Sequence, residues 1–183
     1  PNASDRINSM IYSGIFNSRT GINDTNVFST GEDITRAVDP FNGSIQKLHA
    51  EDSNLIIFQE DKVSRALIDK DAIYTAEGDT AVTTSNKVIG QIIAYAGDYG
   101  ISTDPLSFDS YGYQKYFTDR RRNAVLRLSQ DGITEISQYG MKDWFRDNLN
   151  SFTSSIKIKG AYDRHAKQYV INLHTVGTGL VES

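Results

Sequence analysis

Cysteine is absent from this sequence. That removes disulfide frameworks, thiol nucleophiles and thiolate metal sites together, and leaves the redox compartment undetermined. No apolar run approaches the roughly 20 residues a helix needs to cross a bilayer, so no membrane role is expected. Positive charge is in short supply: 19 Lys and Arg face 23 Asp and Glu, for a net charge of −4 and a pI of about 5.3. With no global positive field, nucleic acid is not an expected partner. Histidine is scarce and dispersed. His49 and His174 fall at polar positions of predicted strands and His165 in a polar turn, so all three read as solvent-facing. No pair has the spacing of a helical metal site.

The chemistry of an active site is missing in the same way. Carboxylates are numerous but fall where turns are predicted: Glu51-Asp52, Glu60-Asp61, Asp69, Asp71, Asp119 and Asp163. Turn chemistry accounts for them, because Asp side chains cap nearby backbone donors. No calcium-loop pattern occurs. Gly97-Asp98-Tyr99-Gly100 lacks the lysine and spacing of a phosphate loop. The chain is therefore expected to be no enzyme, with no catalytic, metal or cofactor-binding residues.

What is present is a core-forming chain. Of 183 residues 38% are hydrophobic and 23% charged, with ten Tyr, eight Phe and one Trp. That apolar content is too high for a disordered chain. Residues 1–44, rich in Asn, Ser, Thr and Gly, read as an irregular arm with one or two short strands. Asp39-Pro40-Phe41-Asn42-Gly43 is a strong turn signal. Residues 45–183 read as a β-repeat domain.

Ile45 to Ala50 alternates apolar and polar residues, as a strand with one buried face does. Leu55-Ile56-Ile57-Phe58 is continuously apolar, as a strand covered on both faces is. Val63 to Leu67 resumes the alternation, making a three-strand meander. The phrase returns in Lys115–Asp119 with Ala124–Leu128, and in Gly160–Asp163 with Tyr169–Leu173. Phe58, Phe117 and Tyr162 stand 59 and then 45 residues apart. That order of spacing fits propeller blades or a related meander array. Pro1 and the unfinished look of this array point to a piece of a larger protein.

Gln130-Asp131-Gly132 predicts a hairpin turn into the strand Ile133–Ser137. Met141, Trp144, Phe145, Leu149 and Phe152 fall on one helical stripe. They predict one inserted helix over about 141–149 whose stripe packs first on its own sheet, which places Trp144 in the core, with a partner-binding face as the alternative. Thr75–Asn86 and Tyr95–Tyr111 read as loops flanking the apolar segment Val88–Ala94. The fold class expected is mainly β: antiparallel meander or β-propeller-like repeats with one short helix.

Candidate binding residues follow from these loops. Tyr111, Tyr113 and Tyr116, with Tyr95 and Tyr99 upstream, are too densely placed to be purely core; such rings suit stacking on sugars or an assembly interface. Arg120, Arg121 and Arg122 are candidates for binding phosphate or an acidic partner surface, although such a run in a turn reads first as a solvated tip. Asp119 and Asp163 stand at matching places before basic turns. As turn-fixing residues they predict a nearly silent Asp119→Asn.

An ordered series of segments carries a resemblance. Phe58–Val63, Gly97–Ser102, Tyr116–Ser129, Asp131–Ser137 and Gly140–Asp147 resemble virion structural proteins of tailed bacteriophages. The likeness is to crAss-like phages of gut Bacteroidales and to some marine phages, whose proteins are called stabilisation, tail or muzzle proteins. It spans about residues 35–175 and is best over 111–149. The resemblance implies a many-copy part of the tail or tail tip with β-propeller-like parts, like the nozzle proteins of short-tailed phages. It brings no catalytic residues. It implies partners among other virion proteins and copies of the chain in a ring, and a protein made in the cytoplasm of a bacterial host. A receptor- or host-glycan-binding tail module is the alternative.

Overall fold

Turns of two to four residues join most consecutive strands, so neighbours in sequence become neighbours in space. A computed structural model describes residues 6–29, 34–74, 80–150 and 156–175. The protein is mainly β, and its strand pairs are antiparallel.

The arm contributes four short strands. β1 (Ser9–Ile11) pairs with β4 (Thr35–Ala37), and β2 (Phe16–Asn17) with β3 (Ile22–Asn23). A first meander follows: β5 (Ile45–Glu51), β6 (Asn54–Gln59), β7 (Val63–Tyr74) and β8 (Thr80–Ala94). A second comprises β9 (Asp109–Tyr111), β10 (Gln114–Asp119), β11 (Ala124–Ser129) and β12 (Gly132–Glu135). Helix α1 (Lys142–Asn150) leads to the hairpin β13 (Ile156–Asp163) and β14 (Gln168–Thr175).

These pieces stack in the order of the sequence, and β6 explains how. Its side chains alternate between two faces. Ile56 and Phe58 meet Phe117, Leu126 and Leu128 of the second meander. Ile57 points the other way, into a cluster with Met10 and Val38 of the arm. Both faces are covered, as the unbroken apolar run requires, and burial of each large side chain is worth about 1.5–3 kcal/mol. Phe58 and Phe117 lie in the second strands of their meanders and face one another. Their rings meet edge to face at 5.1 Å. On the far side of the second meander, Tyr116 stacks on Tyr162 and Tyr169 of the hairpin.

Several expectations are corrected. The first meander has four strands, since Thr80–Asn86, expected to be loop, lies in β8. Its run of Thr and Val favours extended backbone. Asp69 and Asp71 accordingly sit in β7, outside any turn. In β5 the pairing register slips between Ile45 and Lys47. A bulge of this kind exchanges the two faces of the strand beyond it. Leu48 is thereby exposed, while His49 turns inward against the Phe108 ring at 5.0 Å. His49 is not solvent-facing.

The helix begins one residue later than expected and exposes much of its stripe. Leu149 is buried, but Met141 and Trp144 are 49% and 45% exposed. Adjacent residues point about 100° apart on a helix. The line through Phe145 and Leu149 faces inward, leaving Trp144 at the margin, edge-on to Phe145. Trp144 is not core. Phe152 lies outside the described residues.

Candidate interface

The turns at one end of the two meanders stand side by side and carry opposite charge. The β6–β7 turn holds Glu60 and Asp61, whereas the β10–β11 turn holds Arg120, Arg121 and Arg122. Arg121 bonds Glu60 at 2.5 Å and also Asp61. Arg122 reaches Asp61 at 3.3 Å and Asp119 at 3.0 Å. Arg120 pairs with the buried Asp104 at 2.6 Å. The arginine run is therefore not a solvated tip but a clamp between layers. A clue to this lay in the repeat, which sets an acidic turn and a basic turn at the same place in successive units.

Asp119 anchors the clamp from complete burial. Its carboxylate accepts hydrogen bonds from the Gly100 backbone at 3.1 Å, Ser102 Oγ at 2.8 Å and the Arg122 backbone at 3.2 Å. Gly100 must come close: a Cβ there would lie 2.2 Å from the Glu60 carbonyl oxygen. Its neighbours Ile101 and Ser102 donate their N–H groups to the Gln59 and Glu60 carbonyls. Residues 100–102 thus stitch the two meanders together. Glu60 also accepts from the Ser44 hydroxyl, which with the Ser44 N–H and Arg121 holds its carboxyl below the usual range despite burial.

A second charged contact crosses the layers farther along. Lys115 is only 3% exposed and pairs with Glu51 at the end of β5. His49 lies near this pair, and burial together with the Lys115 charge pushes its pKa down.

The tyrosines divide into two groups. Tyr95 and Tyr99 pack against the core shared by the two meanders. Tyr99 donates to Glu135 at 3.2 Å, and burial pushes its phenol pKa up. Burial opposes ionisation of Glu135, but hydrogen bonds from Gln138, Ser137 and Tyr99 outweigh it and hold its pKa low. Tyr111 and Tyr113 are 42% and 58% exposed. Tyr111 caps a ladder of stacked rings, lying 4.7 Å from Tyr162, which continues through Tyr116 to Tyr169. Of the seven residues singled out in the sequence, Tyr111, Tyr113, Arg121 and Arg122 present surface, while Tyr95, Tyr99 and Arg120 are partly buried.

Sequence reading missed the larger exposed apolar surface. On the arm, Ile7, Ile11, Ile15, Phe16, Ile22 and Phe28 are each more than half exposed. Ile11, Phe16 and Ile22 lie in strands of only two or three residues, too short for an alternation that would reveal a bare face, and Ile7, Ile15 and Phe28 lie outside strands. Tyr139, Met141 and Trp144 form a second exposed group around the start of α1.

No protein-family model matches the chain, and a search of curated proteins finds no significant match.

Proposed function

We propose that this protein is a non-enzymatic structural component of a tailed-phage virion, a tail or tail-tip piece that acts through protein–protein contacts. The observation that carries the reading is the apolar arm. Six large aliphatic and aromatic side chains stand more than half exposed within residues 7–28. So many large apolar side chains left exposed on one short segment favour an association face. The resemblance of residues 111–149 to phage tail proteins supplies the setting.

The stacking favours a propeller-like array as the finer architecture. Two four-stranded antiparallel meanders pack face to face through Phe58 and Phe117, and a further hairpin packs on the second. In such an array the chain is part of a larger assembly, closed by further units or further copies. Rings of identical subunits require heterologous contacts, in which one surface meets a different one. The arm and the terminal hairpin lie at opposite ends of the stack and suit such contacts. A receptor- or glycan-binding tail module is the second reading, favoured by the exposed Tyr111 and Tyr113 beside the ring ladder.

Mass spectrometry of density-purified tailed particles tests the placement. Peptides of this chain are expected at a multi-copy ratio to the capsid protein. Their restriction to the unassembled fraction overturns the virion reading. Polysaccharide cleavage by the chain that Asp119→Asn stops without unfolding overturns the non-enzymatic one.

A further inference from the structure

Among the described residues the hairpin β13–β14 leaves one edge of β14 unpaired, and a groove lies against the same hairpin. Each preceding meander has four strands, whereas β14 pairs with β13 alone among the described residues. Between this hairpin, the second meander and α1 lies a cavity of about 480 Å3. Its lining is apolar at Val125, Ile136, Phe145 and Ile171, which suits the side chains of an added strand.

Charge gives the groove its specificity. Arg127 and Lys167 line it, and no carboxylate does, in a chain whose net charge is −4. Arg127 alternates with Val125 on the face of β11 opposite Leu126 and Leu128. Its Nε is buried without an acceptor among the described residues. A buried guanidinium nitrogen left unpaired is costly, and a carboxylate is the partner that best relieves it.

We infer that the β14 edge and its groove receive an extended acidic peptide segment of a partner protein. The segment adds as a strand to β14. Its alternate side chains enter the groove, apolar ones against Val125, Ile136 and Ile171 and a carboxylate onto Arg127. Strand addition draws affinity from main-chain hydrogen bonds and specificity from alternate side chains. The inference rests on the reading of the protein as one that works through protein–protein contacts. It does not need the propeller.

The test uses the whole 183-residue chain and a labelled peptide, Thr-Val-Thr-Glu-Thr-Val-Thr, followed by fluorescence anisotropy. Saturable binding is expected in the range of roughly 10 μM to 1 mM. Replacing Glu by Gln in the peptide, or Arg127→Met in the protein, should weaken it about tenfold, the scale of one charge-assisted hydrogen bond. Circular dichroism and thermal melting of the Arg127→Met protein establish that it folds. Two further peptides carry N-methyl groups on alternate residues, one set in each. Since an added strand bonds through one edge, one of them should fail and the other bind like the parent.

Absence of saturable binding, equal binding of the Gln peptide, or unchanged binding by Arg127→Met overturns the inference. So does equal binding of both N-methylated peptides. Self-association of the chain that Arg127→Met abolishes assigns the groove to a second copy instead. A failed peptide with intact incorporation into particles overturns this inference and leaves the assembly reading standing.

Discussion

Asp119 concentrates more of the fold's polar organisation than any other single side chain described. Its carboxylate receives two backbone N–H groups, a hydroxyl and a guanidinium in a site closed to water. Asp119→Ala should cost about 3 kcal/mol in chemical denaturation, because it leaves those donors and the Arg122 charge unanswered. Asp119→Asn, which its turn position alone predicts to be silent, should instead cost about 1–3 kcal/mol. Its amide group must point N–H bonds at other donors. The turn logic itself holds at both matching places. Asp119 accepts from the Arg122 N–H, and Asp163 from those of His165 and Ala166. Each four-residue loop ends in a left-handed residue, Asn123 (φ 54°) or Lys167 (φ 56°). Asn tolerates that conformation far better than Lys. Lys167→Asn should therefore raise stability by about 0.5–1 kcal/mol in the same assay.

Elements were legible in the sequence where one periodicity ruled and obscured where two competed. The unbroken run Leu55–Phe58 marked a strand covered on both faces, and β6 is one. The alternation of β5 was equally visible but pointed the wrong way, because one bulge reversed the strand beyond Gln46. Nothing local encodes that bulge. It brings His49, Lys47 and Glu51 towards Phe108 and Lys115. Burial and the Lys115 charge lower the His49 pKa in the fold. A base depressed in this way stabilises the fold fully above its unfolded value of about 6.5, and that contribution is lost as pH falls towards the folded value. His49→Gln should flatten the stability profile between about pH 7 and pH 5, and an unchanged slope contradicts the inward placement. The helix reads the same way. Its stripe was visible but not which line of it faced the sheet. Leu149→Ala should cost about 2–5 kcal/mol in thermal or urea melts. Trp144→Ala should cost less than about 1 kcal/mol.

At the scale of the molecule, the order of layers follows the order of the sequence, and the arm and the hairpin are left at the two ends. The repeat made the first meander pair legible through Phe58 and Phe117. Of the candidate surface residues, Tyr111, Tyr113, Arg121 and Arg122 are exposed, whereas Tyr95, Tyr99 and Arg120 are drawn into packing and an ion pair between layers. Such contacts depend on which units become neighbours, and no single segment states that. Exposed apolar side chains at one end predict association. In sedimentation velocity the chain should show concentration-dependent species, and Ile15→Ser with Phe16→Ser should shift it towards monomer. A reconstruction of the intact tailed particle tests the central claim most directly. The account predicts several copies arranged around the tail axis, with residues 7–28 of each covered by neighbouring chains. An unrepeated chain at a distal tip, with the arm bare and Tyr111 and Tyr113 facing outward, contradicts it.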